Sequence, residues 1–91
     1  MAKAREALRE ELVARLKRIE GQARGIQRMI NEGRGCEEII IQLAALKEAV
    51  NQVGLSLLGD HMAQCIEEEL SQGRGTPQAL ERFMRLFTKF G

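Results

Sequence analysis

Between Cys36 and Ser71 the chain runs without a proline, and apolar side chains recur at Ile39, Leu43, Leu46, Val50, Val53 and Leu57. Spacings of three and four put these on one side of an α-helix, because successive residues turn by about 100° around its axis. Glu37 and Glu38 stand where a helix N-terminus favours negative charge. Gly54 and Gly59 weaken the stretch locally, but nothing in it stops a helix. A helix this long constrains everything else. Groups at its two ends cannot meet within one chain.

Two glycine-rich breaks, Asn31-Glu32-Gly33-Arg34-Gly35 and Ser71-Gln72-Gly73-Arg74-Gly75, bound this stretch and divide the chain into three pieces. The first carries Leu8, Leu12, Leu16, Ile19, Ala23, Ile26 and Ile30 at helical spacing. Within it, Gly21 and Gly25 offer a place for another backbone to approach. The third opens with Thr76-Pro77, an N-cap followed by proline at the first helical position, and continues with Leu80, Phe83, Met84 and Phe87. The pattern predicts an all-α chain, a single domain over residues 1–91, with helices at roughly 5–32, 36–71 and 76–89. A chain of 91 residues buries a modest share of its surface alone, so association is a natural way to complete its core. No apolar run approaches the ~18 residues of a membrane span, and the start lacks an apolar leader. A soluble, cytoplasmic protein is expected, in which two cysteines serve as ligands or reactive thiols rather than as a disulfide.

Cys36, His61 and Cys65 are the only Cys and His residues present. His61 and Cys65 stand four apart, one helical turn above each other. All three fall within an arc of about 40° on the apolar side. Cys36 lies 25 positions before His61, about 37 Å along a helix. If the helix is unbroken, Cys36 meets the His61/Cys65 pair of a second, antiparallel chain. Plain buried thiols and a core histidine fit the same spacing, and spacing alone leaves both readings open. For the metal reading, an imidazole on an apolar seam is costly unless partnered. Two thiolates and one imidazole form a soft set that favours Cu(I) over Zn(II) or Ni(II), and no fourth Cys or His completes a structural zinc site. Thiols must deprotonate to bind, so affinity should fall in acid.

The net charge of +1 conceals an asymmetry. Residues 1–35 hold nine Lys/Arg against five Glu, residues 36–70 one Lys against seven acids, and residues 71–91 four bases against Glu81. A basic first helix suits a polyanion, although a solvated helix face accounts for such a run as readily. Arg15, Arg18 and Gln22 line one stripe beside the apolar face, and Lys17, Arg24 and Arg28 line the other. Lys47 stands alone on the second helix. Neither a helix-turn-helix reader nor an aromatic stacking platform is legible. No acid/base pair accompanies a nucleophile, so no enzyme is expected.

The run Arg15-Leu16-Lys17-Arg18-Ile19-Glu20-Gly21-Gln22-Ala23-Arg24-Gly25-Ile26-Gln27-Arg28-Met29-Ile30, followed by Cys36, Gln42-Leu43-Ala44-Ala45-Leu46, His61 and Cys65, closely resembles the CsoR/RcnR family of metal-responsive repressors. The resemblance covers nearly the whole chain. A Cys–His–Cys set at these positions looks like the copper(I)-sensing branch. Nickel/cobalt members usually add histidines, formaldehyde members lack the second Cys, and persulfide members lack the His. The resemblance implies two long antiparallel helices plus a short third, antiparallel four-helix-bundle dimers, and a dimer-of-dimers tetramer. It implies a cytoplasmic repressor that binds double-stranded operator DNA in the apo form and leaves it on Cu(I) binding at an intersubunit site of Cys36, His61 and Cys65. It assigns Arg15, Lys17 and Arg18 to the DNA surface, with Gln22 and Arg24 as additions. Several copper sensors carry a Tyr before the first Cys, linked behind the metal-binding His to a Glu of the third helix. Gly35 replaces that Tyr here, while Glu81 matches the Glu by position. A thiol- or persulfide-responsive repressor of the same fold is the alternative. A copper-buffering protein without a DNA role is the other.

Overall fold

The computed structural model describes the backbone of residues 2–73 and 77–90, and side chains at 5–73, 78 and 80–89. Three helices follow one another, α1 (Ala2–Asn31), α2 (Cys36–Ser71) and α3 (Pro77–Phe90), with no strand among the described residues. The helix α1 begins at Ala2 rather than near residue 5, because Ala-Lys-Ala-Arg holds good helix formers and no stop signal. Thr76, the expected N-cap of α3, lies outside the described residues together with Arg74 and Gly75.

The end of α1 shows why the first break lies where it does. Gly33 adopts φ +70°, a left-handed conformation that a Cβ disfavours. The Gly33 N–H donates to the Ile30 carbonyl at 3.1 Å, and the Arg34 N–H donates to Met29 at 3.0 Å. These are the paired bonds of a Schellman cap, which satisfy carbonyls the helix would otherwise leave open. Gly35 then starts α2, its carbonyl accepting the Ile39 N–H at 3.1 Å. Gly73 repeats the device at the end of α2, with φ +71° and its N–H bonded to Leu70 at 3.2 Å.

The chain forms two compact units, Met1–Val53 and Gly54–Gly91. In the first, α1 and the early part of α2 lie side by side in opposite directions. Among the described residues, Leu12, Ile26 and Val53 are its buried apolar ones. In the second, the later part of α2 packs against α3. Glu69 is buried to 7% exposure and accepts a hydrogen bond from Arg82 Nη2 at 3.4 Å, and Phe83 stacks on Phe87 with centroids 6.1 Å apart.

Much of the expected core stays open. Leu16, Leu43, Val50 and Leu57 are exposed, as are Ile30 (58%) and Ile41 (63%). The reason is geometric, since two helices bury only the seam between them. Apolar residues also surround α2 rather than forming the single stripe expected, with Ile40 and Ile41 open beside Ile39. A helix apolar on several sides requires cover on several sides. Each Leu or Ile so covered would contribute about 1.5–3 kcal/mol. A Cβ built at Gly21 or Gly25 meets nothing within 4 Å, so among the described residues no backbone of the same chain uses the approach they offer.

The cap at Gly33 gives a clear expectation. A Cβ there meets nothing within 4 Å, so the cost of substitution is conformational. Gly33→Ala should lower stability by about 1–2 kcal/mol, and Gly33→Asn by less, as read from the thermal midpoint.

Candidate metal and nucleic-acid sites

Helix α2 is continuous from Cys36 to Ser71. Cys36 is its first residue and exposed, while His61 and Cys65 belong to its later part. The continuity expected from the absence of proline is present, and 25 residues of helix again amount to about 37 Å. Among the described residues no group of three or more His, Cys, Asp or Glu side chains could hold a metal ion.

His61 and Cys65 do come together. Cys65 Sγ lies 3.6 Å from His61 Nε2. A metal bound at ~2.0–2.3 Å to a nitrogen and a sulfur sets them roughly 3.6–3.8 Å apart at tetrahedral or trigonal angles. The pair therefore fits one soft ion and leaves coordination positions to be filled from elsewhere. Both cysteines are free thiols.

Glu81 lines an open groove of about 770 Å³ together with His61, Arg82 and Met84. No direct bond joins Glu81 to His61 among the described residues. A polar link between these helices among the described residues is Glu69–Arg82, which the sequence did not reveal. Its partners are 13 residues apart across a turn, and no local spacing announces such a pair.

At the other end of α2, Arg34 grips Glu38 with two hydrogen bonds, Nε to Oε2 at 3.3 Å and Nη2 to Oε1 at 2.5 Å. This clamp spans Cys36. Its i,i+4 spacing was legible in the sequence, although the role was not. The hydrogen bond from Arg34, and then its charge, hold the Glu38 carboxyl below its ordinary value, and the same contacts raise Arg34.

The basic residues of α1 divide. Arg15, Arg18 and Gln22 share a groove of about 340 Å³ with Glu11, Ile19, Ala49 and Gln52. Lys17 lines a different groove with Arg9, Glu10, Val13 and Ala14. Arg24 is exposed on α1 apart from both, and Lys47 is exposed on α2. The grouping of Arg15, Arg18 and Gln22 matches one expected stripe, whereas Lys17 lines its groove without Arg24 or Arg28. Gln52 is an addition from the structure, because its place depends on how α2 lies against α1, while Glu11 is a local i,i+4 neighbour of Arg15. No helix among the described residues is long and apolar enough to cross a membrane.

A three-helix chain with a soft donor pair on one helix and a basic face on another has the features of a metal-regulated DNA-binding protein. The chain belongs to the metal-sensitive transcriptional repressor family, whose model matches residues 8–89. It is 40% identical over 82 residues to the copper-sensing transcriptional repressor CsoR of Bacillus subtilis, covering 90% of this chain and 80% of that one. It is 37% identical over 65 residues to the copper-sensing repressor RicR of Mycobacterium tuberculosis, covering 71% and 68%. Among solved structures it is similar to the copper-sensing repressor CsoR with Cu(I) from Geobacillus thermodenitrificans, at TM-score 0.77 and 40% identity over 89% of this chain and 83% of that one. It is also similar to the nickel-responsive transcriptional regulator InrS, at TM-score 0.79 and 38% identity over 90% and 91%.

The clamp beside Cys36 predicts a pH signature. A carboxyl whose value is lowered in the folded state adds stability that is present above its ordinary 4.5 and lost as pH falls through the lowered value. The stability difference between the unsubstituted protein and Glu38→Gln should therefore vanish in acid. It should also shrink in high salt, since both partners are exposed. Urea midpoints measured across pH would show both trends.

Proposed function

We propose that this chain is a copper(I)-responsive repressor. In its metal-free form it holds operator DNA through α1, with Arg15, Lys17 and Arg18 as the principal phosphate contacts and Gln22 and Arg24 beside them. It lets the DNA go when Cu(I) is taken up by Cys36 of one chain and His61 and Cys65 of a second. The observation that carries this reading is the 3.6 Å His61–Cys65 pair on an unbroken helix whose far end carries the other thiol. Likeness to two copper-sensing repressors supports the choice of metal.

The bound ion supplies one thing, a bond shared between chains. The rest belongs to the protein. Thiolates and an imidazole are soft donors suited to Cu(I), and an antiparallel pair of chains provides two such sites. The exposed apolar residues of α1 and α2 give the second copy a surface to cover, and further pairing into a tetramer extends the basic face along a duplex. To displace DNA, the metal-loaded arrangement must disfavour the DNA-binding one, typically by ~1–3 kcal/mol. Glu81 shares a groove with His61, where it can steady the imidazole as carboxylates commonly do behind metal ligands. Gly35 leaves no tyrosine to complete such a relay.

A nickel response is the second reading, favoured by the likeness to InrS. The two separate in one experiment. Cu(I) titrated into the protein bound to its upstream DNA should release it, whereas Ni(II) should not. Cys36→Ala should abolish release while leaving metal-free DNA binding intact. Unchanged DNA affinity at saturating Cu(I) would remove the copper reading.

The shared site has its own test. Neither Cys36→Ala nor His61→Ala alone should bind Cu(I) tightly. Chains of the two kinds, co-expressed and purified as mixed dimers, should recover one site of the two. No recovery would mean that the ligands do not come from different chains.

A further inference from the structure

The groove between α1 and the early part of α2 mixes charges that a purely phosphate-binding surface would not. Arg15 and Arg18 line it, and Gln22 and Gln52 add amides from both helices. Yet Glu11 lines it too, and its Oε1 accepts a hydrogen bond from Arg15 Nη2 at 2.9 Å. Arg18 has no carboxylate within ion-pair distance among the described residues.

We propose that Glu11 is a built-in competitor of DNA phosphate for the guanidinium of Arg15. The proposal rests on the DNA-binding reading above and adds a residue that weakens the very contact that reading requires. Glu11 holds one of the five N–H donors of Arg15, at Nη2, and its negative charge beside the guanidinium weakens the attraction for a phosphate approaching the same fork. Glu11 sits one helical turn before Arg15 and is always at hand. The pair is also exposed, with side chains 37% and 55% accessible. Exposed i,i+4 pairs are weak and screened by salt, so a well-placed phosphate displaces this carboxylate and a casual one gains little. Arg18 makes the ungated contact in the same groove, and Arg15 joins when the duplex is seated. Non-specific affinity comes almost wholly from phosphate contacts. Lowering it at one arginine per chain improves discrimination between an operator and the many other sites.

The test uses the full metal-free protein and a short duplex of arbitrary sequence, with affinity read by fluorescence anisotropy between about 50 and 200 mM salt. Four proteins are compared: the unsubstituted chain, Glu11→Gln, Arg15→Ala, and the double variant. Glu11→Gln should tighten binding about two-fold for each chain in contact with the duplex. In the Arg15→Ala background the same substitution should give no gain, since the competition acts only through Arg15. An equal gain in both backgrounds would reduce the effect to general charge and overturn the proposal, as would no gain in either. Failure of the unsubstituted protein to bind duplex at low salt would overturn the DNA reading and the proposal together. Binding without a Glu11→Gln gain overturns the proposal alone.

Discussion

A helix satisfies its backbone hydrogen bonds internally and cannot double back without exposing them. In this protein that limit governs the site. Helix α2 carries a thiol at its first residue and an imidazole–thiol pair near its other end. Its continuity separates the two ends by 25 residues of helix, which is why the proposed site draws on two chains. Under the proposed reading, a second chain running the other way is the simple means of bringing the donors together. A site formed in that manner registers how two chains sit against each other. That is the quantity a DNA-binding assembly needs to have changed.

The first break contributes the other half of the arrangement. The left-handed Gly33 and its paired hydrogen bonds end α1 sharply, and Gly35 starts α2 at once. Cys36 is thereby held at the entrance of the long helix, inside the span of the Arg34–Glu38 clamp. The same turn sets α1 against α2 in register, which places Gln52 beside Arg15 and Arg18. One short connection positions a thiol at one end and shapes the basic groove further along.

How much of this was legible in the sequence depended on the range of the forces involved. Helix type, the glycine breaks and the continuity of α2 are local matters, decided by propensity, spacing and the absence of proline. The i,i+4 pairs His61/Cys65, Glu11/Arg15 and Arg34/Glu38 are local as well and could be read from spacing. Burial could not. Leu16, Leu43, Val50 and Leu57 carry the spacing of core residues and remain open, because two adjacent helices bury only the seam between them and spacing does not say which apolar residue falls on it. Glu69–Arg82 was illegible for another reason, since it joins two helices across a turn whose register no pattern specifies. Glu81 was found by resemblance rather than by physics. Its place in the His61 groove supplies proximity without a bond.

The open apolar surface bears on how such a protein behaves at cellular abundance. Among the described residues Leu12, Ile26 and Val53 are the buried apolar ones, a small core for a lone chain. If the proposed association completes that core, folding and association share one equilibrium, and mass action governs both. Doubling the number of chains more than doubles the number of competent dimers while association is incomplete. A repressor of this construction would respond to its own dosage as well as to its inducer. Its set point in the cell would depend on how many copies are made.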